Sequence, residues 1–274
     1  MHLYVDHRTE YVFSEQQRRI IQLLRVTPAS FDGQQIIHWE INADCDLRLL
    51  PGRDGFGNET TMLYCDGPLN RLALTIRGEV LTDNRHGIVH NAPEPMPADV
   101  FLQQTALSKA TPEIADFARS LAARKSDRIP CLHLLMDELN ARIRFDPDES
   151  YVQRPAGEAF AEGSGVCQDH AHIFLAAARE IGVPARYVSG HLYRREGANE
   201  QPAAHAWAEA WVDGLGWIGF DATNAMCPDD AYIRVAIGLD YHDAAPLSGS
   251  RAGGGTESLF VGVTVSQAQT QSQS

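Results

Sequence analysis

The sequence predicts an α+β protein, in which an N-terminal antiparallel β-sandwich-like domain is followed by helices packed on an antiparallel sheet. Three observations support this fold class. Apolar and polar residues alternate in short runs over residues 1–90. Helical spacing recurs in four segments between residues 99 and 181, and alternation returns in a hairpin pattern after residue 204.

The strands of the N-terminal domain are predicted from their period-two alternation. They cover residues 2–13, 19–27, 35–43, 47–50, 61–65 and 69–81. The glycine-rich segment 54–58 lacks the lysine and the following helix that a nucleotide-binding loop needs, so we interpret it as a hairpin turn. Short alternating strands separated by turns favour antiparallel pairing.

A proline-rich segment separates the two predicted domains. Pro93, Pro95 and Pro97 each remove a backbone donor and restrict the preceding residue, which is typical of a linker. Helices are predicted beyond it over 99–105, 112–124 and 132–143. The predicted division is an N-terminal β domain (1–90), a linker (91–98), a second domain (99–265) that ends in an alternating strand near 259–265, and a disordered, Gln/Ser-rich tail (266–274).

Composition excludes several classes of partner. The chain of 274 residues is 44% hydrophobic and 22% charged, as soluble globular proteins are. Its net charge of -13 argues against nucleic acid or an anionic membrane as the main partner. No apolar stretch reaches the roughly 18 residues of a membrane span. We therefore expect a cytoplasmic protein.

The cysteines also favour a reducing compartment. There are five of them, an odd number, and they are widely spaced along the chain. Cys45 and Cys65 are placed to face each other across two strands, but we expect them to remain thiols because cytosolic disulfides are rare.

The candidate nucleophile is Cys167. It follows the loop 163–165 and opens a helical pattern that contains Ala171, Phe174 and Ala178 and ends before Gly182. The partial positive charge of a helix N-terminus favours thiolate over thiol, and the free N–H groups there can hold an oxyanion. An isolated cysteine is most often inert, so this assignment depends on its partners.

Those partners are His205 and Asp221. His205 opens an alternating strand whose opposite face carries Ala206, Ala208 and Ala210, which would let the Cys167 helix approach closely. A turn centred near Gly214 pairs Trp207 with Asp221 and makes Asp221 the diagonal neighbour of His205. Thiol, imidazole and carboxylate are thereby predicted to form a catalytic Cys-His-Asp set.

Several motifs resemble bacterial transglutaminase-like proteins, a group that includes proteins described as cysteine proteases. They are GVCQD at 165–169, HAW at 205–207, GWIGFD at 216–221, DGFGN at 54–58, ARYVSG at 185–190 and IRVAIG at 233–238. The resemblance implies a papain-related, transglutaminase-like core and assigns nucleophile, base and orienter to Cys167, His205 and Asp221. Two positions depart from the family pattern: His170 stands where an aromatic residue is expected, and Ala222 where proline is usual.

These residues predict acyl transfer from an amide carbonyl through a thioester. Water as the acceptor gives hydrolysis, as in a cysteine protease or amidase, and an amine gives transamidation. Trp207 and Tyr241 are predicted to wall the cleft, with His170 shaping it or interacting with the thiolate. Because spacing places one aromatic wall and not two, hydrolysis is favoured over transamidation. The expected partner is a peptide or protein with a carboxamide or peptide bond, and no cofactor is implied.

The sequence leaves two other classes of function open, a zinc site and a scaffold without catalysis. Cys167, His170, His172 and His205 have side chains that zinc accepts. However, positions 167 and 172 point in different directions on a helix, which disfavours a metal site. A transglutaminase-like scaffold without catalysis is the other alternative, and the presence of all three catalytic residue types argues against it.

Overall fold

Two antiparallel sheets, a parallel pair of two-residue strands and a group of helices make up the described part of the fold. The computed structural model describes residues 1–147, 151, 153–196 and 200–268. In chain order its elements are β1 (His2–Leu24), β2 (Gln34–Ala43), β3 (Arg48–Arg53), β4 (Glu59–Thr82), β5 (Ile88–Val89), a 3-10 helix (Ala98–Leu102), α1 (Pro112–Arg124), α2 (Arg128–Arg142), β6 (Arg144–Phe145), α3 (Ala156–Glu162), β7 (Ser164–Gly165), α4 (Cys167–Glu180), β8 (Ala185–Leu192), β9 (Glu200–Gln201), β10 (His205–Val212), β11 (Gly216–Phe220), β12 (Tyr232–Gly238), α5 (Tyr241–Ala244), β13 (Leu247–Ala252) and β14 (Glu257–Gln267). The predicted α+β class, with an N-terminal antiparallel β domain followed by helices on an antiparallel sheet, is confirmed.

The first sheet is built on two long strands. Its order is β2-β4-β1-β14-β9, with β3 also paired to β4 and β13 to β1. β1 and β4 are each continuous, so the predicted breaks within them are wrong. The ladder between them shifts register between Val12 and Gln17 and again between Gln17 and Arg19. A bulge of this kind interrupts the alternation of side chains without ending the strand, which explains why the pattern suggested four shorter strands.

The C-terminal strands return to this first sheet. The predicted closing strand is present as β14, and Val265 on it lies opposite Val5 on β1. The strand continues through Ser266 to Gln267, which pairs with Leu3, so the start of the predicted disordered tail is ordered by backbone hydrogen bonds. Residues 269–274 of that tail lie outside the described residues. The domain limits at 91–98 and 265 stay predictions.

The second sheet has the order β12-β8-β10-β11-β5, and α4 packs against β10 and β8. The alanines of β10 share a core with α4, including Ala171 and Ala178. This confirms the predicted contact, because small side chains on both elements allow a helix to approach a strand closely. α1 has the predicted bounds, and its cap, Thr111, accepts a hydrogen bond from the backbone N–H of Ile114 at 3.4 Å.

The other helices depart from the prediction. α2 begins four residues before the predicted 132, and the helix expected over 99–105 is only a 3-10 helix (Ala98–Leu102). α3 was not predicted, since its seven residues are too few to show a clear period. No helix in the described ranges is long and apolar enough to cross a membrane. Cys45 and Cys65 face each other as free thiols, with their Sγ atoms 3.2 Å apart.

A buried ion cluster lies beneath the second sheet. Glu209 on β10, 1% exposed, accepts hydrogen bonds from Nε of Arg186 at 2.6 Å and from Nε of Arg234 at 2.8 Å. Arg186 also donates to Glu94 of the proline-rich segment at 2.7 Å. Burial by itself raises the pKa of Glu209, but the charges of Arg234 and Arg186 outweigh it and lower the pKa overall.

We expect Glu209→Gln to lower the free energy of unfolding at neutral pH by about 3–5 kcal/mol, because it removes the carboxylate paired with the buried Arg234 and one of the two carboxylates paired with Arg186. Since the folded pKa of Glu209 is depressed, its stabilising effect is present above the unfolded pKa and is lost as pH falls through the folded value. Urea unfolding at pH 7 and at pH 3 measures both effects. Glu138→Gln, which breaks an exposed pair with Arg124, is the control and should cost about 1 kcal/mol or less. Equal losses in the two variants would contradict the prediction.

Candidate active site

Cys167 is the first residue of α4, as predicted. Its N-terminal neighbour, Val166, is extended and donates its backbone N–H to the Asp169 carboxylate at 2.8 Å. Gly165 is required beside it, because a Cβ there would lie 2.6 Å from Oδ2 of Asp169. The glycine, the cysteine and the aspartate of this motif thus form one local structure that places the thiol at a helix N-terminus.

The buried Asp169 and Arg154 support this helix start and were not identified from the sequence. Their side chains are 0% and 1% exposed, and Nη1 of Arg154 lies 3.8 Å from Oδ2 of Asp169. Arg154 also pairs with Glu162 at the end of α3. One signal in the sequence could have identified Asp169: it is an acidic residue at the third position of the helix, where a carboxylate commonly caps the first turn. No local pattern marks Arg154, because it precedes the helix by a long stretch of chain.

The hairpin of β10 and β11 brings the base and its orienter together. Ala208 lies opposite Phe220 and Val212 opposite Gly216, which is the register predicted from a turn centred near Gly214. Nε2 of His205 lies 2.6 Å from Oδ2 of Asp221. Both residues are buried, with exposures of 7% and 0%, so their interaction is shielded from water.

Asp221 accepts hydrogen bonds at both carboxylate oxygens. The backbone N–H groups of Thr223 and Asn224 donate to Oδ1 at 3.0 and 3.2 Å. The Asn224 amide and the Tyr232 hydroxyl donate to Oδ2 at 2.7 and 2.8 Å. Asn224 therefore supports Asp221, and its amide nitrogen lies 3.5 Å from Nε2 of His205. The contact between Tyr232 and Asp221 was not predicted, because Tyr232 lies on another strand, 11 residues further along the chain.

The electrostatics of the pair favour a charged imidazole. Burial by itself lowers the pKa of His205, but the charge and hydrogen bond of Asp221, together with Cys167, outweigh it and raise the pKa to about 10. Burial raises the pKa of Asp221, and the charge of His205 with the bonds from His205, Asn224 and Tyr232 lowers it overall. Cys167 is close enough to the imidazole to contribute to this rise in its pKa. Thiol, imidazole and carboxylate thus form one connected set.

Trp207 is largely buried beside His205. Its side chain is 3% exposed, and its ring lies 6.1 Å from that of His205 and 5.4 Å from that of Tyr232, between centroids. It belongs to a buried aromatic cluster with Phe101 and Trp217. Both faces of β10 are covered, and alternation along a strand does not show which face meets solvent. Contact between Trp207 and a substrate stays a prediction.

His170 is buried as well, at 1% exposure. Its Nδ1 lies 3.0 Å from the carbonyl oxygen of Val166, and its Nε2 lies 3.1 Å from that of Ile143. The ring joins the start of α4 to the chain that leads into β6. The described contacts are with backbone, and a contact with substrate stays a prediction.

Tyr241 borders the site through another tyrosine. It is half-buried on α5, and its ring packs edge-on against that of Tyr187 at 6.2 Å. Tyr187 is fully buried, and its pKa is raised first by burial and then by the adjacent Cys167. Tyr187 therefore lies between Cys167 and Tyr241. Substrate binding by Tyr241 stays a prediction.

The residues considered for zinc do not converge. Nε2 of His172 accepts a hydrogen bond from the backbone N–H of Tyr241 at 3.1 Å, so this ring nitrogen already has a partner. Burial lowers the pKa of His172 to about 3, so it accepts as a neutral imidazole. Within the described residues, no three His, Cys, Asp or Glu side chains are grouped so that they could hold a metal ion.

Comparison with known proteins agrees with this geometry. A model of the transglutaminase-like superfamily matches residues 115–222, which include all three catalytic candidates. A model of the bacterial transglutaminase-like N-terminal region matches residues 3–81. The chain carries both parts of a bacterial transglutaminase-like protein. The resemblance predicted from the motifs is thereby confirmed.

The relatives of this transglutaminase-like chain include proteins without a known activity. An uncharacterized protein of Mycobacterium leprae is 28% identical over 96% of this chain and 98% of its own length. A second, from Mycobacterium tuberculosis, is 29% identical over 89% of this chain and 86% of its own length. A protein-glutamine gamma-glutamyltransferase of Pseudomonas aeruginosa is 29% identical over 48% of this chain, but over only 22% of that enzyme.

A solved structure shares the whole fold. It is described as a "putative cysteine protease" from Cytophaga hutchinsonii, and it covers 99% of this chain and 92% of its own, with a TM-score of 0.80 and 19% identity. At this identity the likeness supports the fold and not the activity.

Proposed function

We propose that this protein is a thiol enzyme that transfers acyl groups from amide carbonyls through a thioester on Cys167. The observation that carries the proposal is the buried contact of 2.6 Å between Nε2 of His205 and Oδ2 of Asp221. Cys167, the first residue of α4, helps to raise the pKa of the same imidazole. A thiol at a helix N-terminus, paired with an oriented imidazole, is the arrangement that activates cysteine as a nucleophile.

Each group then has a defined step. The Cys167 thiolate attacks the amide carbonyl carbon, forming the C–S bond, while backbone N–H groups at the start of α4 hold the oxyanion. The His205 imidazolium donates its proton to the departing amine as the C–N bond breaks, which leaves a thioester and a neutral imidazole. Water then attacks the thioester, His205 accepts its proton, and the acid and thiolate are released. Asp221 orients the imidazole and stabilises its charged form.

The acceptor that we propose is water, and the substrate is a peptide or protein. A transglutaminase must keep water from the thioester until an amine arrives, which favours a closed aromatic channel. The sequence predicts one aromatic wall, Trp207, and the ring of this residue is 3% exposed and stacks on that of His205. Because spacing predicts no second aromatic wall to close the channel, we propose hydrolysis.

Transamidation is the second candidate. It is favoured by the relative from Pseudomonas aeruginosa, a protein-glutamine gamma-glutamyltransferase, whose similar region covers 48% of this chain. The two reactions share the thioester and differ only in the nucleophile that resolves it. A scaffold without catalysis is the third candidate, and the contact of His205 with Asp221 weighs against it.

We expect hydrolysis to exceed amine incorporation when the protein is incubated with glutamine-containing peptides and a labelled primary amine. Mass spectrometry of new peptide termini, an ammonia assay and label incorporation measure the three products from one reaction. Cys167→Ala supplies the background. Label incorporation faster than hydrolysis would establish transamidation instead. Absence of all products, together with a Cys167 that resists alkylation at neutral pH, would support the scaffold.

A further inference from the structure

Tyr232 links the catalytic set to the far edge of the second sheet. It is the first residue of β12, and its hydroxyl donates at 2.8 Å to Oδ2 of Asp221, the oxygen that also contacts His205. Its ring packs edge-on against Trp207 and lies 5.9 Å from the ring of His205. Burial and the charge of Asp221 raise the pKa of Tyr232 far above its usual range, so the hydroxyl stays protonated and acts as the donor.

β12 ends the strand order of its sheet. It pairs with β8 on one side, and the ladder is irregular between Arg234 and Ala236. On the other side, two amide side chains of the N-terminal domain bind its backbone. Gln34 donates to the carbonyl oxygen of Arg234 at 2.9 Å and accepts from its N–H at 2.8 Å. Asn58 makes the same two bonds with Ile237, each at 2.8 Å.

These amides take the place of a neighbouring strand. A primary amide has a donor and an acceptor side by side, so it can satisfy both groups of one exposed residue of an edge strand. Gln34 and Asn58 are 3% and 5% exposed, which shields these bonds from water. A further hydrogen bond fixes the orientation of each amide. Gln34 also donates to the carbonyl oxygen of Ala29 at 2.8 Å, and Asn58 donates to the Asp54 carboxylate at 3.0 Å.

We propose that Tyr232 is a positioning residue for Asp221, and that the N-terminal domain places it by holding the edge of β12 through Gln34 and Asn58. The inference rests on the proposed function, since it assigns Asp221 the role of orienting His205. It gives the N-terminal domain a part in the catalytic geometry, because the strand that carries Tyr232 is fixed from that domain.

The expected signature is electrostatic. The titratable groups that act on His205 are Cys167 on α4 and Asp221 after β11, and Asp229 acts on Tyr232 in turn. Tyr232→Phe removes one donor from the Asp221 carboxylate, which then attracts the imidazolium proton more strongly. We expect the pKa of His205 to rise by about half a unit or more. Because the imidazole also loses orientation, kcat should fall about tenfold, with little change in KM, for a lost hydrogen bond to a charged group.

The first experiment is an NMR titration of the His205 ring in protein labelled with ¹⁵N-histidine, in wild type and Tyr232→Phe. His205→Gln assigns the resonance, and circular dichroism confirms that both proteins are folded over the pH range used. An upward shift of the midpoint supports the inference. An unchanged or lowered midpoint in a folded Tyr232→Phe protein overturns it.

The second experiment tests the N-terminal domain with Gln34→Met and Asn58→Leu. We expect each variant to shift the midpoint of the His205 titration in the same direction as Tyr232→Phe but by a smaller amount. In a protein that already carries Tyr232→Phe, neither variant should shift the midpoint further. Gln17→Met is the matched control: Gln17 is an equally buried amide of the same domain, but it donates to the carbonyl oxygens of Glu15 and Gly254. It should lower stability without moving the midpoint. Shifts that add fully to that of Tyr232→Phe would overturn the part assigned to the domain.

Alkylation separates failure of this inference from failure of the proposed function. Peptide mapping after iodoacetamide treatment reports the reactivity of Cys167 without a substrate. If wild-type Cys167 is no more reactive near neutral pH than the other cysteines, the proposed function fails, and the inference falls with it. If Cys167 is activated but Tyr232→Phe leaves the His205 titration unchanged, only the inference fails.

Discussion

Replacing Cys167 by alanine is expected to abolish turnover, with a fall in kcat on the order of 10⁶-fold. The reason is that the thioester requires a thiolate at this position, while the remaining site keeps only its oxyanion donors and its binding surface. The substitution should leave the fold intact, because Cys167 is half-buried at the first position of α4 and alanine suits a helix. We expect the free energy of unfolding to change by about 1 kcal/mol or less. Rates on a cleaved peptide and thermal unfolding followed by circular dichroism measure the two effects.

Cys227→Ala is the control for this experiment. Burial raises the pKa of Cys227 to about 11 and, with the adjacent Cys45, that of Cys65 to about 12, so neither should form a thiolate near neutral pH. Iodoacetamide at pH 7 should therefore modify Cys167 first, and Cys227→Ala should retain activity. A folded Cys167→Ala protein with wild-type turnover would remove Cys167 from the mechanism.

His205→Ala and Asp221→Asn are expected to have the next largest effects, and they should differ. Loss of the imidazole removes both proton transfers, so we expect a fall on the order of 10⁵-fold. Asp221→Asn keeps the imidazole of His205 but removes the negative charge beside it. In the wild type, the Asn224 amide and the Tyr232 hydroxyl both donate to Oδ2 of Asp221, so an amide N–H₂ group at that position would face other donors. A fall on the order of 10³-fold is expected. Single-turnover rates on one peptide compare the two.

The pH dependence of Asp221→Asn gives a second readout. In the wild type, Asp221 helps to raise the pKa of His205 to about 10 against the effect of burial. Without the carboxylate charge, burial lowers that pKa, so the imidazolium is lost at lower pH and the alkaline limb of activity moves downward. Asn224→Ala is the comparison, since it removes one donor and leaves the charge. If Asn224→Ala is more damaging than Asp221→Asn, Asn224 is the orienter and the assignment of Asp221 is wrong.

Several features of the site could be predicted because they depend on residues close in sequence. The start of α4 at Cys167 follows from a glycine loop and the helical spacing after it. The register of the hairpin follows from a turn near Gly214, and that register alone brings Asp221 toward His205. In each case the geometry is set by the regular repeat of a helix or a two-stranded ladder.

Other features could not be predicted, because they depend on contacts between distant parts of the chain. Alternation along β10 separates two faces, but the burial of Trp207 depends on Tyr232 and Phe101, which come from other elements. β14 pairs with β1, although the two strands are far apart in sequence, and the residues of neither strand indicate which strand it pairs with. The same holds for the bonds of Gln34 with Arg234, 200 residues apart.

The sequence by itself determined the class of fold, the Cys-His-Asp set and the local structures that present its members, since periodicity and turn chemistry act over a few residues. Only the tertiary structure decided which aromatic rings are buried, that Tyr232 and Asn224 hold Asp221, and that the N-terminal domain binds the edge of β12. The physical reason is that a buried donor must find an acceptor wherever the packed chain provides one. That choice is made by the arrangement of whole elements, which no short stretch of sequence encodes.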